Sequence, residues 1–258
     1  MLPPSLVALL ITIGVLLASM VVFAFRGYRP DADAVSKNAQ FLGGVGNFLL
    51  HWFLWAVDPA ARLSIRLGLT ADFYNFTGLG LGIASGVAIG FGQLEIGGWA
   101  LILSGVSDIL DGRIARATRS CSDYGAFVDS ILDRFIEFFV FAGFAVYLRH
   151  APAGALIATG ALGGSFLVSY SRAMGETLGV NCTGGLLQRG ERLALLSLAL
   201  LMDAPLSGLL PRLPAGAIVA AALSFIGIVG LATAIHRSVW IALRLVERSR
   251  AGSETPRE

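Results

Sequence analysis

The chain has 258 residues, 55% of them apolar, and a mean hydropathy of +0.75. Only 14% are charged, against about 25% in soluble domains, which excludes an ordinary soluble protein and a disordered chain. The net charge of +2 decides little, because what matters is where the charges lie. Segment 5–25 is apolar and uncharged and runs straight into "RGYR". It lacks the positive start and clear cleavage site of a signal peptide, so it reads as a retained anchor. The stretch 27–40 is a polar linker. Residues 41–69 mix Phe48, Trp52, Phe53 and Trp55 with Asp58, Arg62 and Arg66. That mixture predicts an amphipathic helix in the headgroup layer, with a short span at 41–57 as the alternative.

Six apolar segments follow, near 74–93, 97–117, 125–148, 152–171, 192–210 and 214–243. They do not alternate apolar and polar residues as barrel strands do, so the expected class is an all-α integral membrane protein. The fifth segment is the least regular, interrupted by Asp203, Pro205 and Gly208. The chain divides into a transmembrane anchor (1–26), a linker and interfacial helix (27–73), a six-helix membrane domain (74–246) and a tail (247–258). Placing 26–73 in the cytoplasm puts every Lys and Arg inside except Arg149 and Arg212, as the positive-inside rule asks. Cys121 and Cys182 have no zinc spacing and read as free thiols. The run "GLGLGIASG" at 78–86 lacks the strand–helix context of a dinucleotide loop. It reads as a small-residue face for close helix packing.

The chemistry concentrates in "DILDGRIARATRSCSDYGAFVDSILD", 108–133. Asp108 and Asp111 are three apart, Asp129 and Asp133 four apart, so each pair shares a helix face. The short polar linker between them predicts antiparallel neighbouring helices whose pairs face each other. Four such carboxylates repel unless cations neutralise them. With no His or Cys among them, oxygen-seeking divalent ions fit better than zinc. Gly112 and Gly125 allow close approach beside the carboxylates. Ala115 keeps that face narrow, and Arg116 is placed to clamp a phosphate. Ordinary ion pairs at a solvated helix end would explain any one of these aspartates, but not the whole pattern.

The pattern D-x2-D-G-x2-A-R-x8-G-x3-D-x3-D resembles the full signature of the CDP-alcohol phosphatidyltransferase family, and the resemblance extends over about 45–245. It implies a six-transmembrane-helix CDP-alcohol phosphotransferase core with a preceding interfacial helix. The N-terminal helix is extra to that core. It also implies transfer of a phosphatidyl group from CDP-diacylglycerol to an alcohol, with release of CMP. By the same resemblance Asp108, Asp111, Asp129 and Asp133 hold two divalent ions, Mg²⁺ or Mn²⁺, and Asp133 is also the general base. Gly112, Ala115, Arg116 and Gly125 line the nucleotide site. In "LTADFYNFTG" Ala71 stands where the family often has proline. Asp72 is there either a nucleotide contact or a helix N-cap.

Residues 169–192, "SYSRAMGETLGVNCTGGLLQRGER", resemble the acceptor segment of phosphatidylinositol phosphate synthases. Arg172, Arg189 and Arg192 match basic positions, and Met174 departs from one. These arginines are expected to converge on the acceptor's phosphate, unless they are positive-inside anchors. Inositol phosphate or glycerol 3-phosphate fits best. A phosphatidylglycerophosphate or phosphatidylserine synthase-type enzyme is the alternative within the family, and a cation transporter the alternative outside it. The expected setting is a bacterial inner membrane, with the site facing the cytoplasm. A homodimer is allowed, and no nucleic-acid partner is expected.

Overall fold

Each apolar segment becomes a helix, since a backbone in lipid must satisfy its own hydrogen bonds. A computed structural model of the protein describes residues 4–26, 43–182, 187–210 and 212–253. The linker 27–40 and residues 254–258 of the tail lie outside these. The described helices are α1 (Pro4–Phe25), α2 (Gly43–Arg66), α3 (Ala71–Gly90), α4 (Leu94–Ala117), α5 (Asp123–Tyr147), α6 (Gly154–Thr177), α7 (Arg189–Leu209) and α8 (Ala217–Ser253). No strand occurs among the described residues. On length and composition α3, α6, α7 and α8 qualify as membrane spans. In α4 and α5 the acidic and basic residues of 108–137 dilute the apolar run.

The bundle is organised around α3. Both α4 and α5 pack along it, while making little direct contact with each other. This corrects the expectation that α4 and α5 are adjacent. The reason is the glycine face of α3. At Gly86 a β-carbon would lie 2.2 Å from the Phe139 carbonyl oxygen of α5, and at Gly82 it would lie 2.8 Å from Ile136. On the α4 side, Ser104 Oγ donates to the Gly78 carbonyl at 2.8 Å. A slim α3 therefore lets two flanking helices approach closely enough for their side chains to meet across its Asn75–Gly78 face.

The other helices close the bundle. α7 packs on α4, and α8 packs on both α6 and α7. The main apolar cluster includes Ile89, Leu101, Val140, Phe144, Leu200, Leu223 and Ile226. Phe76, Phe138, Ile228 and Ile235 point outward, as lipid-facing side chains do. The irregular end of α7 has a specific cause. Asp203 accepts from the backbone N–H groups of Gly216 at 2.7 Å and Ile218 at 3.2 Å. It thereby caps the start of α8, where an anionic group is favoured.

The helix α2 lays one stripe, Val57 and Ala61, against Leu110 and Ile114 of α4. Arg113 of α4 donates to the Leu54 carbonyl at 2.6 Å and pairs with Asp58 at 3.4 Å. Its opposite side exposes Arg62, Leu63, Ile65 and Arg66, the two-faced pattern of a helix at an interface. α1 joins this layer through Trp52 Nε1, which donates to Ser19 Oγ at 3.0 Å, and through Phe23 against Phe48 and Trp55.

The glycine face makes a direct prediction. Gly86→Ala should destabilise the detergent-solubilised protein by about 1–3 kcal/mol, the usual cost of overpacking, read as a lower thermal midpoint. Gly80→Ala, where a β-carbon meets nothing within 4 Å, should be neutral or stabilising by up to about 1 kcal/mol, the helix-propensity gain. Equal effects at the two positions would show that α3 is not held at close quarters.

Candidate active site

The carboxylates come from the last turns of α4 and the first turns of α5, on either side of α3. Carboxylate oxygens of Asp108, Asp111 and Asp129 all lie within 4.8 Å of one another. Two oxygens bound to one Mg²⁺ or Ca²⁺ ion sit at most about 4–5 Å apart, given bonds of about 2.0–2.6 Å. The three residues therefore fit a single hard divalent ion. Asp111 is buried, and the N–H of Gly112 donates to its carboxylate.

Asp133 belongs to the same cluster but is held differently. Arg189 places one guanidinium nitrogen 2.5 Å from Asp133 Oδ1 and the other 2.7 Å from Asp108 Oδ1. It spans the cluster from α7. A small space of about 10 Å³ is bounded by all four aspartates together with Asn75, Gly78 and Ser104. That is about the room of one water-sized sphere.

Against this cluster opens a cavity of about 520 Å³, walled by the start of α3, the end of α4, the 118–122 turn and the start of α5. Asp72, Gly112, Ala115, Arg116 and Gly125 all line it, together with Asp111 and Asp129. Every expected nucleotide-site residue thus faces one space. The turn is shaped by Ser122, which caps α5 by accepting from Gly125 N–H at 3.1 Å. At the start of α3 the cap is Thr70, whose Oγ accepts from Phe73 N–H at 3.2 Å. The N-cap alternative for Asp72 therefore falls. Its side chain sits in the first turn and is exposed in the cavity wall.

The three expected acceptor arginines do not converge. Arg189 reaches the carboxylates. Arg192 is 2% exposed and pairs with Glu137, itself 1% exposed, at 3.0 Å. Arg172 lies near the end of α6, exposed and paired with Glu176 one turn on at 2.8 Å. Arg189 and Arg192 do share the α5-facing side of α7, which Gln188 N-caps through a capping box with Glu191. The difference arises because a second carboxylate on α5 is available to Arg192.

Glu137 was not foreseen. It continues the Asp129–Asp133 spacing by four more residues, and an ionisable group inside a membrane helix is a functional candidate by default. Asn75 was also missed. It is buried, lines both spaces, and lies three residues after Asp72 on the same helix face. Cys121 lines the cavity and is exposed, whereas Cys182 is buried, and both are free thiols.

The family profile for CDP-alcohol phosphatidyltransferase matches residues 69–240. The archaetidylinositol phosphate synthase of Methanothermobacter thermautotrophicus is 32% identical over 192 residues, covering 73% of this chain and 90% of that protein. A phosphatidylinositol phosphate synthase of Streptomyces avermitilis is 33% identical over 150 residues, covering 56% of this chain and 61% of that one. Among solved structures, the phosphatidylinositol phosphate synthase of Mycobacterium tuberculosis with CDP-DAG bound superimposes with a TM-score of 0.61 at 26% identity. It covers 72% of this chain and 92% of that one. The same enzyme has been solved with manganese and citrate. With its signature residues gathered around the carboxylate cluster and the cavity beside it and its family profile spanning α3 to α8, the chain belongs to the CDP-alcohol phosphatidyltransferase family.

Proposed function

We propose that this protein transfers a phosphatidyl group from CDP-diacylglycerol to a phosphorylated alcohol, inositol phosphate being the first candidate, and releases CMP. The observation that carries this reading is the meeting of Asp108, Asp111 and Asp129 beside a cavity lined by Gly112, Ala115, Arg116 and Gly125. The inositol phosphate-type names of its relatives support the acceptor.

In the proposed site the acceptor hydroxyl oxygen attacks the lipid-bearing phosphorus. The bond from that phosphorus to CMP breaks, and CMP leaves. Bound divalent ions, two Mg²⁺ or Mn²⁺, would neutralise the pyrophosphate and stabilise charge on departing CMP. Asp108, Asp111 and Asp129 would hold the first. A second would take Asp133 with its neighbours, in competition with Arg189. Asp133 accepts the proton of the attacking hydroxyl. Asp72, Gly112, Ala115, Arg116 and Gly125 cradle the nucleotide, with the two glycines admitting it close to the backbone.

Arg189 is the acceptor's anchor in this reading. Its guanidinium lies against Asp108 and Asp133, where a fork suited to phosphate would set the hydroxyl beside the base. Arg172 stands near the same end of the bundle, and Arg192 supports the site from within. The proposed setting is a bacterial inner membrane with the arginine-rich end of the helices, and the site, in the cytoplasm. A cation path is disfavoured. The carboxylates gather at one end, and Asp203, at the far end of α7, is engaged by backbone N–H groups.

Purified protein supplied with labelled CDP-diacylglycerol, Mg²⁺ or Mn²⁺ and a panel of alcohols tests the reaction. A product formed from inositol phosphate or glycerol 3-phosphate is expected. Turnover with free serine or free inositol alone would refute the acceptor. Asp108→Asn, Asp111→Asn and Asp129→Asn should each abolish turnover and weaken metal-dependent nucleotide binding. Full activity in any of them at saturating metal would contradict the site.

Asp133→Asn should abolish turnover while nucleotide binding partly survives, as direct titration of CDP-diacylglycerol would show. Arg189→Gln should raise KM for the phosphorylated acceptor far more than KM for CDP-diacylglycerol. The loss of a charge-assisted hydrogen bond, about 1.5–3 kcal/mol, sets the scale. Equal rises would assign Arg189 to folding instead.

A further inference from the structure

We infer that Glu137 is a positioning residue for acceptor recognition, forming with Arg192 a buried brace that holds Arg189 in register with Asp108 and Asp133. The inference rests on the reading of Arg189 as the acceptor's anchor.

Two ion pairs join α5 to α7 like successive rungs. Asp133 meets Arg189 at 2.5 Å, and one turn deeper Glu137 meets Arg192 at 3.0 Å. The spacings match, four residues on α5 against three on α7, both one helical turn. The outer rung is partly open, with 14% and 18% of its side-chain surface exposed, while the inner rung is closed at 1% and 2%. A ligand can reach the first pair, and the second is out of reach.

Glu137 also extends beyond these two helices. Its other oxygen accepts from Arg134 at 2.6 Å, and Arg134 donates to Ser169 Oγ on α6 at 2.9 Å. One carboxylate thus ties α5, α6 and α7 together. Three guanidinium groups, Arg134, Arg189 and Arg192, face three carboxylates, Asp108, Asp133 and Glu137.

Arg189 needs such support. It is the first residue of α7, at the helix end where the macrodipole disfavours a cation, and terminal turns fray. Arg192 counters this from the next turn. Besides Glu137 it donates to the carbonyl of Leu187 at 2.8 Å. Leu187 holds a left-handed backbone, φ 59°, which a leucine rarely adopts. The brace therefore fixes both the chain entering α7 and the helix turn that carries Arg189. With Nε of Arg192 buried and without a protein acceptor, the carboxylate of Glu137 is the charged group that orients this guanidinium.

The test uses the full-length protein in detergent or nanodiscs, with the phosphorylated alcohol that supports turnover, inositol phosphate or glycerol 3-phosphate. Glu137→Gln keeps the volume and removes the charge. KM for that acceptor should rise about tenfold or more, while KM for CDP-diacylglycerol stays within about twofold, the split expected when one substrate's contacts alone are lost. Arg192→Lys keeps the charge but loses the fork that reaches both Glu137 and Leu187. It should show the same split, and it carries the test if Glu137→Gln does not fold. An unchanged acceptor KM in a folded variant, or both KM values rising together with a falling thermal midpoint, would overturn the brace. If Arg189→Gln raises the acceptor KM and both brace variants are silent, the brace alone fails. If Arg189→Gln is itself silent, the reading of Arg189 on which the brace rests has failed.

Discussion

Carboxylates gathered at one end of a helical bundle repel one another, and the packing of these helices answers to that repulsion. Asp108, Asp111 and Asp129 crowd their oxygens within 4.8 Å, an arrangement that is costly without compensating positive charge. The fold meets this in two ways. It brings Arg189 across from α7 to Asp108 and Asp133, and it shapes a triad that fits a hard divalent ion. The close approach is made possible by α3, whose Gly82 and Gly86 take α5 almost onto the backbone. The glycines thus shape the carboxylate cluster as much as the aspartates themselves do.

A second consequence concerns charge inside the bundle. Burying Glu137 and Arg192 one turn from the Asp133–Arg189 pair sacrifices hydration that only tight mutual pairing offsets. Inside a membrane protein such pairs are more often functional than stabilising. Here the buried pair lies one turn beneath an open one. The inner pair is shut away from ligand, so the outer pair can be partly exposed without losing its alignment. At the opposite end of the bundle Asp203 instead accepts from backbone N–H groups and caps α8. Carboxylates of identical chemistry thus take on different tasks according to which groups the helices set beside them.

Legible in the chain alone were the helical membrane class, the starts of the core helices to within three residues, though α6 and α8 run on past their expected ends, and the eight signature positions that line the cluster and its cavity. These are local properties: apolar run length, spacing along one helix face, and a motif whose residues are close in the chain. The small-residue reading of 78–86 was also legible, because the spacing of Gly78, Gly82 and Gly86 is itself a packing signal. Which helices the pairs reach across is set by packing alone. α4 and α5 are joined by a short turn, yet α3 stands between them, since a glycine face accepts neighbours that two bulkier helices cannot offer each other. Arg189 and Arg192 look alike in the chain, but one meets Asp108 and Asp133 and the other is buried on Glu137. Their roles part because an ion pair is chosen by which opposite charge lies within reach, and that distance exists only once α5 and α7 are packed.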